Sequence, residues 1–332
     1  MNVLLTSAGR RTSLLQFFQE RIHERGGRVW AGDLDPLAPT LRIADATVVL
    51  PPIDEDDYVP TLLDHVQAHD IDLLVPLIDP ELHPLAEARD TFTEAECRAL
   101  VADPSLLDVV LDKWRTVQHF SEHGIRTPQS WLPESSTPDA WPDPVFVKPR
   151  RGSASKSARR VARDALPHVL NDMDEPILQE VVEAPEITVD ALFALDGTLL
   201  HYVPRRRVRT MAGESIQGRT LPDEDVASWL RPVLREVGRL GARGPITLQA
   251  FLTEPEPTLS EINARFGGGF PLARAAGGHY PAWIIQMCED ESVVPRLGDY
   301  EADLCMTRAY TEWFVEADAL DEPPENLGTA NV

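Results

Sequence analysis

Cysteine is scarce in this chain of 332 residues, and Cys97, Cys288 and Cys305 lie far apart in the sequence. A disulfide framework or a CxxC metal site needs more cysteines at closer spacing. The sequence therefore argues against both classes, and it predicts a protein of the reducing cytoplasm.

Long apolar runs and an excess of positive charge are also absent. No run approaches the roughly 18 apolar residues of a membrane-spanning helix. Arg10 and Arg11 look like the start of a twin-arginine signal, but Gln16, Gln19 and Glu20 interrupt the apolar stretch that should follow. The formal net charge of −23 argues against a broad basic surface for nucleic acid. We therefore predict neither a membrane partner nor a nucleic-acid partner.

Strand and helix patterns alternate over the first hundred residues. This alternation predicts an α/β domain with a doubly wound parallel sheet, which binds ligands at the carboxyl ends of its strands. The first strand end lacks the GxGxxG fingerprint, so we do not expect a dinucleotide. Arg10, Asp79 and Glu81 follow strand ends and are candidate substrate ligands. For the two acids, the ordinary preference for a helix N-terminus is an equally good explanation.

The most informative stretch is a strand pattern that ends in a run of three glycines. Side chains alternate between the faces of a strand, so Glu261, Asn263 and Arg265 point the same way. The preceding strand and its proline turn predict a hairpin with Gln249 opposite Glu261. Carboxylate and amide oxygens suit Mg²⁺, and arginine suits phosphate oxygens, which predicts a site for a magnesium-bound polyphosphate. The alternative is a row of polar residues on the solvent face of an antiparallel pair.

Basic and small residues follow a short apolar strand that ends near Lys148. The loop beyond it contains Ser153 and Ser155 and can offer N–H groups, hydroxyls and cations to phosphate oxygens. It lacks the ending of a Walker loop. Lys113 opens a predicted amphipathic helix and is a second phosphate candidate. A solvated basic turn and a surface lysine are the alternative readings.

Two further strand patterns could complete a nucleotide site. The first contains Gln179, Glu180 and Val182, and the second begins at Glu186. Backbone groups at such a break can bind a base, and a carboxylate can bind ribose hydroxyls. Ordinary sheet edges show the same pattern, so it is unspecific alone.

Arginines alternate along another predicted strand. Arg205, Arg207 and Arg209 therefore share one face, and we expect one or more of them to bind a substrate carboxylate or acyl phosphate. A salt-bridged surface strand is the alternative. Arg274, beyond the glycine run, is a weaker candidate for the same pocket.

In this order, the elements resemble the ATP-grasp superfamily, and most closely one ATP-grasp unit of the carbamoyl-phosphate synthetase large subunit and its stand-alone ligase relatives. The matching segments are residues 112–113, 146–149, 178–180, 186–189, 247–251 and 261–265. The resemblance implies ATP and Mg²⁺, with two metal ions and Mn²⁺ as a substitute. It assigns the phosphates to Lys113 and Lys148, adenine to Glu180, ribose to Glu186, the metal ions to Gln249, Glu261 and Asn263, and the transferred phosphate to Arg265.

The resemblance also implies the architecture. A doubly wound N-terminal domain over residues 1–110 would precede an α+β ATP-grasp fold of two subdomains. The lid subdomain would span residues 111–183, the subdomain with the metal site 184–316, and an acidic tail 317–332. Two departures stand out: Lys156 and Ser157 follow the serines where the family's loop usually has a glycine, and no histidine occurs near Met211 to match the one beside bicarbonate.

The activity implied is that of an ATP-dependent carboxylate–amine ligase, which forms a C–N bond through an acyl phosphate and releases ADP and phosphate. Its partners would be a small carboxylate and an amine, and the likeness is compatible with a homodimer. Two alternatives stay open. One is activation of bicarbonate in the manner of carbamoyl-phosphate synthetase, and the other is a nucleotide-binding regulator without catalysis.

Overall fold

The computed structural model describes residues 1–152, 157–211 and 213–315, whose strands form three sheets. The first sheet has five parallel strands in the order β3-β2-β1-β4-β5. Its elements are β1 (Val3–Thr6), α1 (Thr12–His23), β2 (Val29–Asp33), β3 (Ala46–Val49), α2 (Tyr58–Ala68), β4 (Leu73–Pro76), α3 (Leu82–Glu87), α4 (Arg89–Glu94) and β5 (Arg98–Ala99). The predicted doubly wound domain is confirmed.

The strand order fixes where this domain can bind a ligand. The chain adds β2 and β3 on one side of β1 and then returns to place β4 on the other side. The loops that follow β1 and β4 therefore diverge, which leaves a crevice at their carboxyl ends. This places Arg10 and Asp79, one in each loop, at the same edge of the sheet.

The second sheet is a small antiparallel one that we call the lid sheet, with strand order β6-β9-β7-β8. Its apolar side chains form a separate small core that includes Val145, Val147 and Leu178. The elements of this region are α5 (Pro104–Val110), α6 (Lys113–Glu122), β6 (Ser130–Trp131), β7 (Val145–Pro149), β8 (Arg159–Val161), α7 (Leu166–Asn171) and β9 (Pro176–Glu180).

The third sheet, which we call the large sheet, has six antiparallel strands in the order β14-β13-β10-β11-β12-β15. Its elements are β10 (Glu186–Phe193), β11 (Leu199–Met211), β12 (Glu214–Thr220), α8 (Ala227–Arg239), β13 (Gly244–Phe251), β14 (Thr258–Asn263), α9 (Phe270–Ala275), α10 (Tyr280–Cys288) and β15 (Cys305–Thr307). Helix α8 buries Leu230, Val233 and Val237 in the same core as Val189 and Leu248 of the sheet.

Aromatic residues join the large sheet to the N-terminal domain. Phe266 and Phe270 make an edge-to-face contact. Phe18 of α1 makes another edge-to-face contact with Phe266, with ring centroids 6.1 Å apart. These rings belong to one buried cluster that also contains Leu5 of β1. The crevice of the first sheet is thus held against the glycine run that follows β14.

Two details of register position the site. In the β13–β14 hairpin Gln249 lies opposite Glu261, as predicted. In the β11–β12 pair the register shifts between Arg207 and Arg209, so Val208 is an extra residue in a β-bulge. None of the helices within the described residues is both long and apolar enough to cross a bilayer.

Candidate active site

A cavity of about 820 Å³ lies between the lid sheet and the large sheet. Both sheets contribute polar side chains to it, from segments far apart in the sequence. The predicted site residues that line this nucleotide-sized cavity are Lys113, Lys148, Gln179, Glu180, Val182, Glu186, Arg207, Gln249 and Glu261.

A second cavity, of about 290 Å³, lies where the loop after β1 faces the glycine run. Arg10 and Arg11 border it from the N-terminal domain, so its environment is basic. Arg207, Gln249 and Glu261 line both cavities. These three side chains could therefore contact a ligand in the first cavity and a ligand in the second at the same time.

A third cavity, of about 390 Å³, is bordered by Asp79, the junction of α5 and α6, and Asn263. Glu261 lines it as well. The Glu261 carboxylate therefore stands where all three cavities meet, which is the position expected of a group that acts on ligands from each.

The donor set on the large sheet fits a hard cation. Glu261 and Gln249 are direct cross-strand neighbours, and Asn263 lies two residues along the same face of β14. None of the described residues donates a hydrogen bond to the Glu261 carboxylate or pairs with it as an ion. A carboxylate free to coordinate, beside an amide oxygen, suits Mg²⁺ or Mn²⁺.

Arg265 is positioned by its neighbours. Its Nη2 donates to Asp79 Oδ2 at 2.6 Å and to Asn263 Oδ1 at 3.1 Å. The Asp79 and Arg265 side chains are 10% and 12% exposed, so the pair is largely desolvated. Asp79 thus holds Arg265 across the boundary between the N-terminal domain and the large sheet, rather than standing free as a ligand.

Arg207 connects the candidate ribose and metal residues. Its Nη1 donates to the Glu186 carboxylate and, at 3.2 Å, to Gln249 Oε1, while Nη2 donates to the Gly213 carbonyl at 2.7 Å. The guanidinium therefore lies between the two cavities with both ends fixed.

Lys148 projects from the lid sheet into the first cavity and is only 7% exposed. Burial lowers its pKa to about 8, although the nearby Glu261 and Glu186 carboxylates act in the opposite direction. Lys113 also lines the cavity, and its Nζ donates to the Gly152 carbonyl at 2.7 Å. Both ammonium groups are thus directed at a cavity that a polyphosphate could fill.

Asp112 fixes the start of α6 and so the position of Lys113. Its carboxylate accepts from the backbone N–H groups of Trp114 and Arg115 and from Arg150 Nη2 at 2.5 Å. Burial tends to raise the pKa of Asp112, but these hydrogen bonds, led by that of Arg150, hold it below its ordinary value. The charged N-cap ties the helix to the strand that carries Lys148.

The far end of the first cavity is bordered by Gln179, Glu180 and Val182. Gln179 Nε2 donates to Ser130 Oγ at 2.9 Å, and Glu180 Oε1 accepts from the Gln129 backbone N–H at 3.0 Å. These two side chains are anchored to the neighbouring strand segment, and the residues of the break after β9 border the cavity beside them.

Arg205 is paired within the large sheet. Although it borders the second cavity, its side chain is 2% exposed, and its Nε donates to Asp190 Oδ2 at 2.7 Å. A Cβ at Gly269 would lie 2.4 Å from the Arg205 guanidinium carbon, so the glycine makes room for this buried pair. The structure thus gives Arg205 a buried partner within the sheet, and its contact with a substrate stays a prediction.

Three other substrate candidates lie outside the cavities. Glu81 is fully buried and accepts from Ser7 Oγ at 2.6 Å and from the Tyr58 hydroxyl, and burial raises the pKa of its carboxyl. Arg209 is exposed because the bulge before it breaks the alternation of β11. Arg274 Nη2 donates to Glu20 at 3.2 Å on the surface of α9. The predicted phosphate contacts Ser153 and Ser155 lie outside the described residues, as does the tail 317–332.

Sequence reasoning missed part of the second cavity. Thr188, Ser215 and Thr247 border it beside Arg11. Alternation along β10 from Glu186 could have identified Thr188, and the neighbouring Arg10 could have drawn attention to Arg11. Ser215 had no local signal, because only the β11–β12 pairing brings it to the cavity.

Two family models match the chain in consecutive segments. Residues 3–100 match the PylC-like N-terminal domain, and residues 110–269 match the ATP-grasp domain. No curated protein sequence matches the chain at a significant level.

Solved structures share the fold at low identity. Biotin carboxylase from Campylobacter jejuni superposes with a TM-score of 0.73 at 14% identity, covering 92% of this chain and 74% of that one. An L-amino acid ligase from Bacillus licheniformis gives 0.67 at 17% identity, with 86% and 73% coverage. N5-carboxyaminoimidazole ribonucleotide synthetase from Thermotoga maritima gives 0.60 at 17%, with 89% and 77% coverage.

Proposed function

We propose that this chain, whose residues 3–100 match the PylC-like N-terminal domain and whose residues 110–269 match the ATP-grasp domain, is an ATP-dependent carboxylate–amine ligase. It forms a C–N bond through an acyl phosphate and releases ADP and phosphate. The observation that carries the proposal is the position of Glu261, which lines all three cavities with its carboxylate unpaired among the described residues.

ATP occupies the cavity between the two sheets in this proposal. The break after β9 binds the base, and Glu186 binds the ribose hydroxyls. Lys148 and Lys113 neutralise the phosphates, which is the main task of a protein in phosphoryl transfer. Gln249, Glu261 and Asn263 hold Mg²⁺, or Mn²⁺ in its place. Held by these residues, the metal would supply positive charge beside the phosphates during transfer.

The carboxylate substrate occupies the second, basic cavity. One of its oxygens attacks the terminal phosphorus of ATP, the bond to the bridging oxygen breaks, and ADP leaves with that electron pair. Arg207 and Arg265 lie at this border and stabilise charge on the phosphoryl group as it moves. Both guanidinium groups are held by neighbours before any ligand binds, so little reorganisation is needed during transfer.

The amine completes the reaction. Its nitrogen attacks the carbonyl carbon of the acyl phosphate, phosphate leaves with the C–O bond electrons, and the nitrogen loses a proton. The L-amino acid ligase of similar fold supports an amino acid as one substrate. No residue of the chain needs to form a covalent bond with either substrate.

Activation of bicarbonate is the second candidate function. The similarity in fold to a biotin carboxylase complex that contains MgADP and bicarbonate favours it. The absence of a histidine near Met211 counts against a mechanism like that of carbamoyl-phosphate synthetase. A binding protein without catalysis is the third reading.

One experiment separates these readings. ATP consumption is measured with Mg²⁺ against pools of amino acids, small carboxylates, and bicarbonate with ammonia, with ADP and AMP resolved. We expect ADP and phosphate to appear with an amino acid or carboxylate pool, and release of AMP would contradict an acyl phosphate.

The matched variant is Glu261→Ala, for which we expect turnover to fall by more than about a thousandfold because the metal loses its anionic ligand. The control is Glu256→Ala, in the exposed turn between β13 and β14. Full activity in Glu261→Ala would refute the metal assignment. A rise in melting temperature with MgATP but no turnover on any pool would favour the binding protein.

A further inference from the structure

A cluster of ligating side chains lies apart from the three cavities, where α6 and α8 meet. His119 is on α6, His123 caps its C-terminal end, and Glu236 is on α8. One ligand atom from each lies within 4.8 Å of the other two. Within the part of the chain that the structure describes, this is the one group of three histidine, cysteine or acidic side chains that converges in this way.

The two imidazole rings are aimed at one oxygen. His119 Nε2 is 2.9 Å from Glu236 Oε1, and His123 Nε2 is 3.6 Å from the same atom. A zinc ion with bonds of about 2.0–2.2 Å to nitrogen and oxygen places tetrahedral ligand atoms roughly 3.3 Å apart. The two observed distances lie on either side of that spacing, so a small rotation of the side chains would admit the ion.

The hydrogen bonding of His123 favours a cation at its free nitrogen. Its Nδ1 lies 2.7 Å from the His119 carbonyl oxygen, which can only accept, so Nδ1 carries the proton. In the neutral ring Nε2 then presents a lone pair toward the Glu236 carboxylate. Two electron-rich atoms that face each other need a proton or a metal ion between them. An N–H bond to a backbone carbonyl is also how metal-binding histidines are commonly oriented.

The Glu236 carboxylate is also positioned to bind a cation. Glu236 is 8% exposed, and its second oxygen accepts from Arg239 Nη1 at 3.3 Å, which leaves Oε1 for the histidines. The two rings stack with centroids 4.3 Å apart. Protonation of both rings would place two cations in contact, whereas one divalent ion satisfies both nitrogens and the carboxylate together.

We propose that His119, His123 and Glu236 form a binding site for a divalent transition metal, with Zn²⁺ as the preferred ion. Two imidazoles and one carboxylate suit Zn²⁺, Co²⁺, Ni²⁺ or Cu²⁺, whereas Mg²⁺ and Ca²⁺ prefer sets of oxygen ligands. Three protein ligands leave a fourth position for water. The ion fastens α6, whose first residue is Lys113, to α8 on the large sheet. The site stands independently of the proposed ligase activity.

The test is calorimetric titration of the full chain with Zn²⁺ in excess Mg²⁺, which occupies the oxygen-rich active site. We expect one Zn²⁺ per chain, and at least tenfold weaker binding in His123→Ala and in the milder His123→Gln. Two controls should bind as the parent does: His168→Ala, an exposed histidine on α7, and Glu261→Ala at the candidate magnesium site.

A spectroscopic readout guards against nonspecific binding. Co²⁺ bound to the parent chain should give the visible absorption of a tetrahedral site, and His123→Ala should lack it. The folding of each variant is checked by circular dichroism, and His123 is a mild position to change because its side chain is 39% exposed. Absence of Zn²⁺ binding in the parent, or equal binding in His123→Ala and His168→Ala, would overturn the proposal.

Discussion

The large sheet and the lid sheet hold their buried cationic side chains in different ways. On the large sheet, Arg205 pairs with Asp190 and Arg207 pairs with Glu186. On the lid sheet the ammonium group of Lys148 is buried, and no carboxylate of the described residues lies within ion-pair distance of it.

The buried arginines of the large sheet have their counter-ions in the free protein, whereas Lys148 of the lid sheet gains one only when an anionic ligand binds. Paired charges on the large sheet fix the geometry of the candidate catalytic groups in the free protein. The unpaired charge on the lid is costly until an anion meets it, which is why burial lowers the pKa of Lys148. Removal of a charge from the large sheet and from the lid sheet should therefore change stability in opposite directions.

The largest effect on stability is expected on the large sheet. Arg205→Met leaves Asp190 buried without its partner, and breaking such a pair costs about 3–5 kcal/mol. Urea unfolding should show this loss, while the control Arg209→Met, on the exposed continuation of the same strand, should stay within roughly 0.5 kcal/mol of the parent. A cost for Arg205→Met as small as that of Arg209→Met would mean that the pair does not help to fix the large sheet.

The lid should respond in the opposite way. Lys148→Met should lower ATP turnover by roughly 10²–10³-fold, the usual loss for one group that stabilises transition-state charge. The ligand-free chain should become more stable, since an apolar side chain replaces a buried charge. Turnover and thermal unfolding measure the two effects. Lys113→Met is the control, because its ammonium bonds to the Gly152 carbonyl, and it should lose turnover without gaining stability. A less stable Lys148→Met would contradict the comparison.

The same contrast explains how far the sequence could predict the site. The hairpin that places Gln249 opposite Glu261 is set by local alternation and a turn, and the structure confirms it. The N-terminal alternation likewise predicted the parallel sheet. Periods of two and of 3.6 residues are local properties, so a sequence can report them.

Other features depend on contacts that no local pattern records. A bulge at Val208 removes Arg209 from the face it was expected to share with Arg207. Arg205 is an ordinary strand arginine in the sequence, and only the fold buries it beside Asp190 and above Gly269. Glu81 looked like a ligand beside a strand end, but Ser7 and Tyr58 enclose it. Which charges are paired is decided by tertiary packing.

The smallest of the three effects is the pH dependence of MgATP binding, which tests the role of Lys148 directly. The polyphosphate binds the protonated form of Lys148, and the pKa of that group in the free protein is lowered to about 8 by burial. Above pH 8 binding must therefore take up a proton, so the Kd for MgATP should rise by up to about tenfold per pH unit. Calorimetry in buffers of different ionisation enthalpy would measure both the Kd and the proton uptake.

Stability should change with the opposite sign in the same pH window. The ordinary pKa of lysine is about 10.4 in an unfolded chain, so between pH 8 and 10.4 the unfolded state binds more protons than the folded one. The contribution of Lys148 to the free energy of unfolding therefore becomes more favourable as pH rises through this window, while MgATP binding weakens. Lys148→Met should lose both dependences, and Lys113→Met should keep them. If the Kd for MgATP and the free energy of unfolding depended on pH equally in the parent and in Lys148→Met, Lys148 would not be the buried cation that ATP neutralises.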